Sequence, residues 1–414
     1  MKKIICAVLL LVTCLLAFTG CAEENLGGYL ENYENRRPVP VEEITLNFYI
    51  ICGDKTTENA KKTVALRLSQ YTEEKFNTKL NVFYLKASEY ASVITQKTAK
   101  SYKEADRPDI VLINSKPLFD TLYGAKQLVN LTPYFAGDLY GKLNVSINSA
   151  ILEASQVQEI VTDAKGNPVK DEKTGKDKIE DRFYCVPNNH VVGEYEYVLV
   201  DIATAKHYYK YQNLSTYTSA EAVKELVDTI KGDEALKAQY RSELEATVAP
   251  DALDAAVDAK VDEYISEKIK TDVKGKYEDK AEYEKQGYYC NISVMPTATA
   301  EDSFSSAFAI VEGTRDQLLN KKYADRSMQI IYAINTVKSF RNLLQYGVFG
   351  PNYSLDNKDY VLRENEGINV YDMKLEYTGS IFDAYFCDEL DWNEDVSANG
   401  LKQNDDAVVA ADGE

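Results

Sequence analysis

Residues 108–114 read Pro-Asp-Ile-Val-Leu-Ile-Asn, four consecutive aliphatic side chains closed by Asn114 and Ser115. A run this short, rich in β-branched residues and fenced by turn formers, predicts a strand buried on both faces, as in the middle of a parallel sheet. Working upstream, Ile44-Thr-Leu-Asn-Phe-Tyr-Ile-Ile51 predicts another strand, with the turn residues Cys52-Gly53-Asp54 after it. Thr57 to Phe76 carries helical spacing through Ala60, Val64, Leu66, Leu68 and Tyr71. Leu80-Asn-Val-Phe-Tyr-Leu85 predicts the next strand, and Ser88 is placed to cap the helix that follows. Strand and helix alternate in this way only when helices cover a mainly parallel sheet, so the fold class is α/β.

Downstream, Asp163 to Asp181 is polar and turn-rich, and reads as a solvated hairpin or insertion. Its acids lack the alternate spacing of an EF-hand calcium loop. Arg182-Phe-Tyr-Cys-Val-Pro187 and Glu194-Tyr-Glu-Tyr-Val-Leu-Val200, separated by Asn188-Asn189, look like a passage from one domain into another. Ser219 to Ile230 predicts an amphipathic helix. Asp233 to Tyr283 predicts two or three exposed helices, broken at Pro250 and near Gly275. Strands return at Tyr288–Val294 and Phe304–Val311, and Ala324 to Tyr346 predicts a long helix stopped by Gly347. These boundaries divide the body into a first lobe, 42–186 plus 304–345, and a second, 187–303 plus 346–402. The second carries a helical insertion at 233–283, and an acidic tail follows at 403–414.

The chain opens with Lys2-Lys3, an apolar run from Ile4 to Phe18, and then Thr19-Gly20-Cys21. That order predicts an export signal. It resembles a bacterial lipoprotein signal, which implies lipidation at Cys21, although Phe18 replaces the usual leucine. Residues 22–41, with two glycines and two prolines, read as a tether. Removing the signal takes the formal charge from -19 to -21. Such acidity argues against nucleic acid as a partner. Of seven cysteines, four remain in the body, Cys52, Cys185, Cys290 and Cys387. They permit disulfides or buried thiols equally, and none has zinc-site spacing. With two histidines in the whole chain and neither HExxH nor GxSxG present, no catalytic constellation stands out. The expectation is a non-enzyme without cofactor or metal.

With those segments placed, the chain is similar to the extracellular solute-binding proteins of bacterial ABC importers, the sugar-type family 1 in particular. The likeness is carried by the start at Cys21, by Pro108–Asn114 with Ala125-Lys-Gln-Leu-Val-Asn-Leu-Thr-Pro-Tyr-Phe135, by Phe183–Leu199, and by Phe308-Ala-Ile310 with Ala324–Leu344, Gln345-Tyr-Gly-Val-Phe-Gly350 and Tyr353. The long 233–283 segment and a single tryptophan depart from the family pattern. The resemblance implies a two-lobed, type II periplasmic-binding-protein-like fold whose lobes close over a solute held between them. It further implies a monomer anchored by lipid to the outer face of the cytoplasmic membrane, in a Gram-positive envelope, and a membrane permease as partner. Carbohydrate, as an oligosaccharide, is the solute so implied; a peptide or other polar solute is the alternative, and a scaffold or adhesion lipoprotein is the rival class. If the two crossings lie side by side, a Cys185–Cys290 bridge becomes possible.

A sugar site needs flat aromatic faces together with amide and carboxylate groups. Ligands of open α/β sheets gather at the carboxyl ends of strands. That places Gly53, Asp54, Asn114 and Ser115 among the candidates, with Asn188, Asn189 and Glu194 at the crossing. Tyr195, Tyr353, Tyr377, Tyr385 and Trp392 are the aromatic candidates.

Overall fold

A computed structural model describes residues 42–163, 165–208 and 213–410. The Cys21 expectation and the tether therefore lie outside the described residues. The first lobe is built on a five-stranded sheet in the order β2-β1-β3-β11-β6. Its strands are β1 (Ile44–Ile51), β2 (Thr78–Leu85), β3 (Ile110–Ile113), β6 (Val186–Pro187) and β11 (Ala307–Ile310). β1 runs parallel to β2 over eight residue pairs and parallel to β3, whereas β11 is antiparallel to both its neighbours. Ile110, Val111, Leu112 and Ile113 are all fully buried, as a central strand covered on both faces requires. Each such aliphatic side chain contributes roughly 1.5–3 kcal/mol of burial.

The helix Glu58–Phe76 connects β1 to β2 because its buried residues, Ala60, Val64, Leu68, Thr72 and Phe76, recur every fourth position. The Thr57 side chain caps its start by accepting from the Ala60 amide, and Asn77 closes it in the left-handed region at φ 47°. Ser88 does not cap the next helix. That helix spans Ala87–Thr98, and Glu89 reaches back to the Lys86 amide. The long helix expected at 324–346 is two helices, Gln317–Thr336 and Lys338–Tyr346, hinged at the extended residue Val337. A two-stranded hairpin, β4 (Val157–Ile160) with β5 (Ile179–Arg182), carries the polar stretch at its tip.

The second lobe has a three-stranded antiparallel sheet, β8-β7-β9, made of β7 (Tyr195–Asp201), β8 (Ile269–Gly275) and β9 (Tyr288–Val294). Val198 and Val200 point to one face, where Val223, Leu226 and Ile230 of helix Ala220–Lys231 and Val261 and Ile265 of helix Leu253–Lys268 cover them. Tyr195, Tyr197 and Leu199 point to the other face with Cys290.

Two expectations about organisation are corrected here. The 233–283 segment is not a purely helical appendage, since it supplies β8 and three buried side chains of the lobe's core, Val261, Ile265 and Ile269. Segment 346–402 is tied to the first lobe rather than counted with the second. It hydrogen-bonds the first lobe, through Gly53 N to Asp372 O (2.8 Å), Gln345 Nε2 to Met373 O (2.9 Å) and Arg341 Nη2 to Leu375 O (2.9 Å). Within it, β12 (Tyr353–Leu355) pairs with β13 (Val361–Arg363). Among the described residues, no helix is long and apolar enough to cross a membrane.

Candidate functional site

Sheet register decides which residues meet. Ile113 of β3 and Pro187 of β6 both lie opposite Ala307 of β11. The next residues outward, Asn114, Ser306 and Asn188, therefore share one edge of the sheet, the carboxyl end of β3 and β6. The chain leaves for the second lobe from Asn188 and returns through Ser306, so this edge is the one from which both crossings depart.

Asn188 is fully buried. Its Nδ2 donates to Ser306 Oγ (2.9 Å) and to the Glu376 carbonyl (3.0 Å). Ser306 Oγ in turn donates to that carbonyl at 2.6 Å. The Oδ1 atoms of Asn114 and Asn188, and Nε of Arg363, are buried without a hydrogen-bond partner. Arg363 joins this edge through its 2.7 Å ion pair with Asp372, whose side chain lies against Gly53 after β1. Buried polar atoms are normally satisfied, and three orphans at one sheet edge, two acceptors and one donor, suit a partner rich in hydroxyls.

The other candidates separate from this edge in instructive ways. Ser115 is the N-cap of helix Lys116–Gly124, and its Oγ accepts from Leu118 N at 3.4 Å. Asp54 is exposed and 3.5 Å from Lys86 Nζ. Glu194 is exposed. Asn189 is buried and ties the crossing to its surroundings, donating to Ser146 O (3.0 Å) and accepting from Asn148 N (3.3 Å). Tyr195 is wholly buried in the second lobe, stacked on Tyr197, with its hydroxyl donating to Asp406 at 2.8 Å. Burial first, then the Asp406 carboxylate, holds that hydroxyl far above the ordinary tyrosine value. A side chain so enclosed offers no face to a solute, which corrects its candidacy. Trp392 is corrected likewise: it is 3% exposed and packs 5.8 Å from the Phe382 ring. Tyr353 is half-buried between Tyr346 and Phe349, and Tyr385 packs on Tyr346. Tyr377 is half-buried at the margin of the first lobe's core, with the Lys374 ammonium over its ring.

The Cys185–Cys290 bridge is also corrected. Both thiols are free and buried, Cys185 in the first lobe's core and Cys290 in the second's. The crossings do lie side by side, but β6 meets β11 while Cys290 of β9 meets Leu199 of β7.

Three residues at the crossings escaped the sequence reading. Gly193 has φ +63°, and a Cβ there would sit 2.6 Å from Thr297 N and 2.8 Å from Thr297 O. Gln403 and Asn404, on the helix Glu394–Asp406, clasp the outgoing crossing. Gln403 Nε2 donates to Val192 O (3.0 Å) and Gly193 O (2.7 Å), and Asn404 Nδ2 donates to His190 O (2.8 Å). Beyond them, β14 (Val408–Val409) runs parallel to β10 (Thr297–Ala298) on the returning crossing. The acidic tail expected from residue 403 thus begins as a clasp on the outgoing crossing. The glycine after Val191-Val192 was the one signal available in the sequence. A cavity of about 1090 Å³ does not lie at this edge; it lies at the opposite pole of the first lobe, between helix Gln317–Thr336 and residues 129–140. The register, rather than cavity size, therefore locates the candidate site.

No family model matches the chain, and no curated protein matches it. Among solved structures, the chain is similar to the N-glycan transport solute-binding protein of Streptococcus pneumoniae, at 15% identity and a TM-score of 0.48, over 89% of this chain and 84% of that one. It is similar to the maltose-binding protein MalE of Listeria monocytogenes, at 10% identity and a TM-score of 0.31, over 89% and 87%. A probable secreted solute-binding lipoprotein of Streptomyces coelicolor gives 10% identity and a TM-score of 0.32, over 73% and 81%.

Proposed function

We propose that this protein is the solute-binding component of an ABC importer, which captures an oligosaccharide outside the cell by closing two lobes over it. The observation that carries the reading is the sheet edge of the first lobe. There Asn114 and Asn188 hold orphan acceptors beside the two crossings, and Arg363 holds an orphan donor near the end of β1. A solute bridging that edge and the second lobe makes its full set of contacts only in the closed state, so binding shifts the population toward closure. The sequence motif ending at Cys21 supports a lipid anchor that keeps the protein at the membrane beside a permease.

A thermal-shift series of the purified protein against mono- and oligosaccharides, short peptides and polyamines tests the reading. Ligand bound to the native state alone raises the melting temperature. A shift with one glycan class supports the proposal, a shift with peptides alone replaces the sugar by a peptide, and silence across all classes favours a scaffold.

A further inference from the structure

At the pole of the first lobe opposite the crossings, where β3 begins and β11 ends, lies a pocket of about 320 Å³. Its charged lining is Lys100, Lys103, Arg107, Lys126, Glu312 and Arg315. Five cations against one anion form an unusual surface in a chain of formal charge -19. The balance survives internal pairing. Arg315 is neutralised by the buried Asp109 at 3.1 Å, but the ammonium groups of Lys100, Lys103 and Lys126 have no ion pair or hydrogen bond among the described residues. Arg107 is 6% exposed and spends its terminal nitrogens on backbone carbonyls, including Ala99 (2.6 Å) and Glu312 (3.2 Å). Its Nε is buried without a partner.

The backbone explains how Lys126 reaches the pocket. Lys126 sits at φ 53°, in the left-handed region where glycine or asparagine is the unstrained choice. That conformation closes helix Lys116–Gly124, with Lys126 N donating to Tyr123 O (2.8 Å) and Gln127 N to Leu122 O (2.9 Å), and the turn brings Lys126 to the pocket lining. Like charges left unpaired around one cavity repel, and an oxyanion between them removes the repulsion while accepting several charge-assisted hydrogen bonds.

We propose that this pocket is a second ligand site, taking a phosphate-class oxyanion, either inorganic phosphate or the phosphomonoester end of a larger molecule. The four residues of β3 separate it from the edge at Asn114 by about 13 Å along the strand. Occupancy here is therefore independent of the proposed sugar site, and the two fail separately.

Isothermal titration of the purified protein with sodium phosphate and with glucose 6-phosphate, against sodium chloride at matched ionic strength, tests the site. Saturable binding of either phosphate, absent with chloride, is expected. Tighter binding of inorganic phosphate identifies a free anion as ligand, and tighter binding of the ester identifies the end of a larger molecule. Lys126→Gly removes one cation while relieving the backbone, so it should fold at least as stably as the parent and bind phosphate several-fold more weakly. The triple variant K100Q/K103Q/K126G should lose at least tenfold, whereas Lys231→Gln, on the second lobe, should bind as the parent does. Phosphate heats no different from chloride, or a Lys126→Gly protein that is folded and binds phosphate unchanged, would overturn the proposal.

Discussion

Asn188 Nδ2 donates to Ser306 Oγ over 2.9 Å, tying the segment that leaves the first lobe to the segment that returns to it. The same Nδ2 and the Ser306 hydroxyl both reach the Glu376 carbonyl, so one buried triangle holds both crossings and the overlying 370–378 segment in register. Replacing Asn188 by alanine leaves buried groups unmatched and should cost about 1–3 kcal/mol. Urea denaturation reads this directly as a lower midpoint. Ser306→Ala should cost less, because the Asn188 amide keeps its bond to Glu376.

At Gly193 the outgoing crossing lies against Thr297 of the returning one. The glycine's positive φ and the nearness of the Thr297 backbone leave no room for a methyl group. Gly193→Ala should destabilise the protein by about 1–3 kcal/mol through overpacking and a disfavoured backbone conformation. The variant's hinge must also spread, so amide exchange at Val192 and Thr297 should quicken while that of β3 stays slow. Equal exchange at all three would show that the contact does not hold the hinge.

These two residues also mark what the sequence could and could not disclose. β1, β3, β7 and β9 are legible because runs rich in aliphatic and aromatic residues bounded by turn residues have few alternatives. β8 was missed because its residues, Ile-Lys-Thr-Asp-Val-Lys-Gly, are half charged and sit among strong helix formers. Only the alternation of Ile269, Thr271 and Val273 betrays a strand there, and that signal is weak when one neighbour supplies all the pairing. The sheet edge was legible at Asn114 and Asn188, since both follow readable strands. Ser306 and Arg363 were not, because their place depends on antiparallel register and on a distant ion pair. Tyr195 was misread for a related reason: a tyrosine beside a crossing looks ligand-facing until strand alternation turns it into the core.

The buried tyrosines predict a steep alkaline transition. Desolvation raises the hydroxyls of Tyr84, Tyr90, Tyr195, Tyr197, Tyr346 and Tyr371, so the folded protein favours their neutral form. Tyr49 and Tyr123 are pushed up to about 12 by the same cause. A raised folded pKa contributes stability that is whole below the unfolded value near 10 and fades as pH climbs past it. The melting temperature should therefore fall increasingly above about pH 10. Absorbance at 295 nm, as a spectrophotometric titration, should show these phenols ionising together with unfolding. Smooth titration of every tyrosine near 10 in a folded protein would contradict their burial.

Trp392 gives a clean optical check on the corrected site. It is the only tryptophan in the chain and is 3% exposed, packed with Phe382 and Ile381. Its emission should be blue-shifted and weakly quenched by acrylamide, and it should not change when a solute saturates the protein. A solute-dependent shift in the Trp392 emission would return that residue to the binding surface.

Small-angle X-ray scattering of the purified protein, with and without each saturating member of the glycan panel, tests hinge closure most directly. The account predicts that the glycan which raises the melting temperature also reduces the radius of gyration, and that Asn114→Ala abolishes both effects while the protein remains folded. A stabilising glycan that leaves the radius unchanged would contradict closure of two lobes over a solute.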